Sequence, residues 1–308
     1  MKKFLYALAL VAFIGCTSSS EDPDTPTPNP QPTPTPDTPT ENLNLQKYAN
    51  ADEIKVMSFN VRLKTNEKNM YNNWDFRKDA CVELIQDHMP TIIGFQEAKY
   101  TDQWLFFKNK LADKYDGWGL NRDNGQENGS GEVMGILYDK EKVKKLEGGT
   151  FWLSETPDTP SMGWDAACKR TCTWTKLKMK KTGTEFAYLN THLDHVGKEA
   201  QRNGLALMVE RCAQIVPKGM TAFVTADFNA RTDDAIFEPL KADMLDARET
   251  APETDRRGTY NGFDNLQNVV IDHIFYRGAE AHTFRVLDKY YGAPYISDHY
   301  PVVMTATF

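Results

Sequence analysis

Residues 54 to 62 read Ile-Lys-Val-Met-Ser-Phe-Asn-Val-Arg, an apolar, β-branched run interrupted by Lys55 and closing on Asn60-Val61-Arg62. A short run of this composition is a buried strand, and here the strand ends in a polar residue. The construction returns along the chain: Thr91 to Gln96 is a second strand, with Glu97 at its end. Further strands are expected at Val133 to Tyr138, Thr171 to Met179, Phe186 to Thr191, Thr221 to Thr225, Val269 to Phe275 and Val302 to Thr307. Helical spacing joins Phe76, Ala80, Leu84 and Ile85 after Asp75, a candidate cap, and Pro90 stops that helix. Trp104, Phe107 and Leu111 mark a second helix, and Leu205, Met208, Cys212 and Ile215 a long one starting near Lys198. Strands and helices in this mixed order, without a repeat, predict one α/β domain with two or more sheets.

The polar residues cluster relative to those strands. Asn60, Glu97, His192, Asp227 with Asn229, Asp272, and Asp298 with His299 each lie within or at the end of a strand. Sites in α/β proteins gather there because loops converge while the sheet stays rigid. One such residue is an ordinary solvated strand end; eight, all of types that bind a hard cation or move protons, point to a site.

The segments SFNVR (58 to 62), FQEA (95 to 98), NTHLDH (190 to 195), ADFN (226 to 229), IDHIF (271 to 275) and SDHYPV (297 to 302) resemble, in order, the motifs of the endonuclease/exonuclease/phosphatase superfamily. Pancreatic-type deoxyribonucleases, apurinic endonucleases, neutral sphingomyelinases, inositol polyphosphate phosphatases and poly(A) deadenylases belong to it. The resemblance implies a four-layer α/β sandwich, two mixed β-sheets face to face with helices outside, and a metal-dependent phosphoesterase. It implies Asn60, Glu97 and Asp298 as ligands or neighbours of Mg²⁺, with Mn²⁺ as a substitute. It implies His299 as base or phosphate contact paired with Asp272, Asp227 to orient or deprotonate the attacking water, Asn229 to hold the phosphate or that water, and His192 as a donor to the phosphoryl oxygen. Arg62 and Arg170 are candidate phosphate contacts. His192, where apurinic endonucleases have Tyr, places the chain nearer the deoxyribonuclease, sphingomyelinase and deadenylase branches. Ala226 stands where Gly often precedes the Asp. His195 and His273, as strand neighbours of site residues, should face the opposite side, and His88 and His282 read as surface residues.

The chain has 308 residues, a net charge of −7 and 40% hydrophobic residues, too polar for a multi-span membrane protein. Lys2 and Lys3, then the apolar stretch Phe4 to Gly15, then Cys16 resemble a lipoprotein signal, with Phe13-Ile14-Gly15-Cys16 as the lipobox. Residues 17 to 50 form a Thr-Pro linker holding eight of the sixteen prolines, so the domain is expected over 51 to 308. Without the leader and linker charges, 33 basic and 38 acidic residues remain. That balance argues against tight binding of long duplex DNA. A phosphorylated small molecule or a short nucleic acid is the expected substrate, and a monomer lipid-anchored at the bacterial cell envelope the expected form. Cys81 and Cys212 read as core thiols, while pairing among the four domain cysteines stays open. Phe151 to Trp174, with Trp152, Trp164 and Trp174, reads as a loop beside the site, its aromatics either packing or stacking on a ring. The alternative function is a non-catalytic lipoprotein that binds glycans through these tryptophans.

Overall fold

The computed structural model describes residues 53–264 and 268–308; Cys16, the proline linker and the domain start at Ala51 lie outside them. In chain order the strands are β1 (Glu53–Asn60), β2 (Ile92–Gln96), β3 (Ala98–Lys99), β4 (Tyr115–Trp118), β5 (Glu132–Val133), β6 (Ile136–Asp139), β7 (Val143–Trp152), β8 (Thr171–Met179), β9 (Glu185–His192), β10 (Thr221–Asp227), β11 (Leu245–Asp246), β12 (Glu253–Thr254), β13 (Asp272–Arg277), β14 (Glu280–Val286) and β15 (Val302–Thr307). Three helices matter for the core: α1 (Trp74–His88), α2 (Leu105–Lys110) and α3 (Lys198–Ile215).

Seven strands form one sheet in the order β12-β14-β15-β1-β2-β6-β4, and six form another in the order β11-β13-β10-β9-β8-β7. Both are mixed: β1 runs parallel to β2 and antiparallel to β15, and β10 runs parallel to β9 and antiparallel to β13. Strand alternation divides the apolar residues into layers. Ile54, Val56 and Ile92 of the first sheet meet Phe186, Tyr188, Phe223 and Ile274 of the second in the central core. Met57, Phe59, Ile93 and Phe95 point the other way, onto Cys81, Leu84 and Ile85 of α1 and Phe107 of α2. Ala187, Leu189, Ala222 and Val224 pack likewise on Leu205, Met208 and Cys212 of α3. Helix, sheet, sheet, helix is therefore the order of layers, the four-layer sandwich that the motifs imply.

Several local expectations change. The run Val133 to Tyr138 is broken, β5 pairing with β3 in a small separate sheet and β6 joining the large one. The break falls at Gly135, where a Cβ would stand 2.4 Å from the Trp104 ring, so the chain passes too close for a side chain. Asp75 does not cap α1; Asn73 holds that position without a side-chain bond, because buried Trp74 opens the helix and Asp75 pairs with Lys78. Phe151 and Trp152 end β7, and Trp174 lies in β8, so the loop is confined to 153–170. Trp152 is packed, its Nε1 donating to Arg122 O at 2.6 Å. His282 is not a surface residue but is buried in β14 beside Thr307 Oγ1 at 3.0 Å. Cys81, Cys172 and Cys212 are buried, Cys168 is half-buried, and all four are free thiols. No helix among the described residues is long and apolar enough to cross a membrane.

Candidate functional site

Four strands build the site with one alternation rule. In β1 the side chains facing the opposite sheet are Ile54, Val56, Ser58 and Asn60; in β9 they are Phe186, Tyr188, Asn190 and His192; in β10, Phe223, Thr225 and Asp227; in β13, Tyr276, Ile274 and Asp272. Each row starts apolar and ends polar at the same edge of the sandwich. Pairing keeps the ends level: Asp227 is opposite His192 on one side and Asp272 on the other.

Between the apolar core and the site lies a buried polar floor. Asn190 Nδ2 donates to Phe95 O at 2.8 Å and Gly135 O at 3.1 Å, both in the other sheet's territory. Its Oδ1 accepts from Gln96 Nε2 at 2.7 Å and from Thr225 Oγ1 at 3.1 Å. Gly94 leaves room for this, since a Cβ there would stand 2.4 Å from both Asn190 Oδ1 and Thr225 Oγ1.

Above the floor, Asn60 Nδ2 donates to Glu97 Oε1 at 3.0 Å and to Asp227 Oδ2 at 2.9 Å, and lies 3.5 Å from His299 Nε2. Asp227 Oδ2 is 3.4 Å from His192 Nε2 and 3.6 Å from His299 Nε2. His299 Nδ1 bonds Asp272 Oδ2 at 2.8 Å, and the Tyr260 ring stands edge-on to the imidazole. Asn229 Nδ2 donates to Leu193 O at 3.0 Å and approaches His192 Nε2 at 2.9 Å. Glu97, Asp227 and His299 place ligand atoms within 4.8 Å of one another and are the group that could hold a metal ion. Asn60 enters that group through its amide nitrogen, its Oδ1 being taken by the Arg62 N–H at 3.0 Å. Asp298 turns its Oδ2 toward Arg62 Nη1, 3.6 Å away.

Three of these residues have left-handed backbone: Arg62 (φ 54), Glu97 (φ 60) and Asn229 (φ 49). Asn tolerates it; Arg and Glu do so at a cost, which the surroundings must offset. Leu63 N donates to Glu97 Oε2 at 2.9 Å and Asp227 Oδ1 accepts from Asn229 N at 2.9 Å, fixing both turns. Burial, with Asp272 and Glu97 nearby, pushes the Asp227 carboxyl up to about 7. Burial works against charge on His299, but the Asp272 and Asp227 carboxylates outweigh it and raise its pKa. His192 goes the other way, held neutral by burial first and then by the charges of Arg170 and Arg122.

Arg170 makes no bond to the carboxylate group itself, its Nε lying on Asp194 Oδ2 at 3.2 Å and its Nη2 2.9 Å from His195 Nδ1. His195 is thus an exposed loop residue beside Arg170 rather than a strand residue on the far face. His273 does face away, paired with Asp246 at 3.0 Å. Asp194, inside NTHLDH but given no role by the sequence, holds this corner together: Oδ1 accepts from Val196 N and Gly197 N, and Oδ2 from Ala167 N and Arg170. Although burial opposes its charge, those donors bring its carboxyl down to about 2. A depressed carboxylate pKa stabilises the fold above the unfolded value near 3.8, and that contribution is lost as pH falls toward 2. Asp194→Asn should therefore cost about 2 kcal/mol at pH 7. Urea unfolding of both proteins at pH 7 and pH 2.5 should show the gap shrinking; a gap independent of pH would contradict this role.

A family model described as the Endonuclease/Exonuclease/phosphatase family matches residues 57–299. A solved structure from Bacteroides vulgatus, described as an endonuclease/exonuclease/phosphatase, is 34% identical with a TM-score of 0.77, covering 83% of this chain and 99% of its own. The mannosyl-6-phosphatase of Bacteroides thetaiotaomicron is 32% identical with a TM-score of 0.76, covering 83% of this chain and 100% of its own. An uncharacterised protein of Acanthamoeba polyphaga mimivirus is 27% identical over 283 residues, 82% of this chain and 99% of its own.

Proposed function

Because the chain belongs to the endonuclease/exonuclease/phosphatase family, we propose that it is a divalent-cation-dependent phosphoesterase of small phosphorylated compounds, lipid-anchored at a bacterial cell envelope. The observation that carries the chemistry is the Glu97, Asp227 and His299 group joined by Asn60 and backed by Asp272. The donor set fits a hard cation: two carboxylates converge beside His299, and burial, with Asp272 and Glu97 close by, pushes the Asp227 pKa up. Glu97, with Asp227 beside it, would hold the ion, and Mg²⁺ with Mn²⁺ as substitute suits the oxygen ligands. Bound there, the ion would polarise the phosphoryl oxygens.

The remaining work falls to the chain. Asp227 takes the proton of a water that attacks phosphorus, while the bond to the leaving oxygen breaks on the opposite side. His299, kept in one orientation by Asp272, donates to a phosphoryl oxygen as negative charge grows, and Asn229 and His192 flank that charge from the second sheet. The likeness to a mannosyl-6-phosphatase supports a phosphorylated sugar ahead of nucleic-acid fragments or lipid head groups. The modest excess of acids supports a substrate that needs no extended basic surface.

Purified protein should be screened on sugar phosphates, short oligonucleotides and phospholipid head-group esters, with EDTA and with Mg²⁺ or Mn²⁺ restored. Hydrolysis lost on chelation and regained with metal is expected; full activity in EDTA would end the reading. Cys16→Ser should lose palmitate labelling and sedimentation with membranes while keeping turnover, because the Pro-rich linker separates the anchor from the domain. Continued labelling of that variant would remove the anchor.

A further inference from the structure

Next to the carboxylate group sits a cluster of opposite character, of which Arg122 and Glu132 lie outside the sequence motifs. Arg122 makes a two-pronged ion pair with Glu132, Nη1 to Oε2 and Nη2 to Oε1, each 2.8 Å. Glu132 pairs with Lys99, two residues beyond Glu97, so the fork is seated beside the candidate metal group. The loops carrying Arg122 and Arg170 are tied together by Lys169 Nζ donating to Asp123 O at 2.7 Å. Both guanidinium charges act on His192 and on the Cys168 thiol, which puts the two arginines in one corner.

Two donors in this corner are buried without an acceptor: Arg122 Nε and His192 Nδ1. The imidazole proton belongs on Nδ1, because the Asn229 Nδ2 that bonds Leu193 O also points an N–H at His192 Nε2. Buried donors left unpaired are rare in native proteins and call for an explanation. A pair of them among two pinned guanidiniums is the arrangement that receives an anionic oxygen.

We propose that Arg122, acting with Arg170 and His192, holds the non-bridging phosphoryl oxygen that a monoester has and a diester lacks, so that this corner selects phosphate monoesters. The inference rests on the phosphoesterase reading and adds to it the substrate class. A phosphate monoester brings three acceptor oxygens and nearly two negative charges at neutral pH. A diester brings two such oxygens and one charge, and its second ester group needs the space of the third oxygen. The side chains of this corner are only 12% (Arg122) and 5% (Arg170) exposed. Each arginine is pinned by its own carboxylate, and a pinned fork does not swing aside.

The test compares the full-length protein with Arg122→Met and Arg122→Lys on 4-nitrophenyl phosphate and bis(4-nitrophenyl) phosphate. Affinity for inorganic phosphate is measured in parallel by calorimetry, and folding by thermal unfolding. The parent should favour the monoester, and Arg122→Met should lower monoester kcat/KM by roughly 10²-fold while leaving the diester nearly unchanged. Its phosphate affinity should fall by about tenfold or more, with Arg122→Lys in between because it keeps the charge and loses the fork. A parent that prefers the diester, or equal losses on both esters, would overturn the inference and leave the phosphoesterase reading standing. Turnover of neither ester by the parent would instead count against that reading. Phosphate binding then decides the inference: unchanged affinity in a folded Arg122 variant overturns it. Should Arg122→Met fail to fold, the lysine variant carries the same comparison.

Discussion

His299→Ala will lower turnover by about 10³-fold or more at saturating divalent cation, with the native fold retained at the assay temperature. The imidazole is 4% exposed and bonded on one side to Asp272, while its other nitrogen faces Asp227 and Asn60. It is the cationic side chain placed directly among those carboxylates, and its charge is maintained by them against burial. Removing it leaves Asp272 without that partner and takes away a donor that requires no reorganisation when charge develops on phosphorus. Asp272→Asn should lose nearly as much, because an amide can orient the ring but cannot sustain its charge. The pair separates a chemical role from a packing role, since Asn preserves shape. Steady-state rates within tenfold of the parent in both variants would remove His299 from the mechanism.

Asn190→Ala will destabilise the fold by about 4 kcal/mol, the largest stability loss expected of a single polar residue here. Its four hydrogen bonds satisfy two main-chain carbonyls and two side chains, all buried. Truncation takes that donor from Phe95 O and leaves Gly135 O with the Phe95 N–H alone, in a space tight enough to exclude a Cβ on Gly94. Orphaned buried groups cost roughly 1–3 kcal/mol each, and incomplete relaxation limits the sum. Asn190→Asp should be no better, since it aims an acceptor at two carbonyls. Urea unfolding measures the effect; a loss below about 1 kcal/mol would show that the floor is not what fastens the sheets.

The sequence made the layers and the site's membership legible because both depend on alternation. A strand whose end is polar and whose body is apolar, such as β1 or β10, declares its inward face and its functional edge together. Edge strands did not declare themselves: β7 carries Lys144, Lys145, Glu147 and two glycines because one side lacks a partner strand, so it reads as loop. Arg122, Glu132 and the role of Asp194 escaped for a different reason. Their significance lies in contacts between loops, and nothing in their spacing distinguishes them from ordinary surface charges. The left-handed turn at Glu97 was equally silent, since no glycine marks it.

The two sheets, with the segments at their strand ends, contribute the two halves of one centre: Asn60, Glu97 and His299 from the first, and His192, Asp227 and Asp272 from the second. Asn60 reaches Asp227 across 167 residues of chain and His299 across 239. Contacts between such distant residues form late, because loop closure is unfavourable until other interactions compensate it. Neither half can bind or hydrolyse anything while the sheets are apart, so every partly folded form of this chain is catalytically inert. Regain of activity on refolding should accordingly lag behind the return of strand and helix signals and coincide with the docking of sheet on sheet. In a cell, a chain that is exported unfolded would acquire its chemistry only on the far side of the membrane.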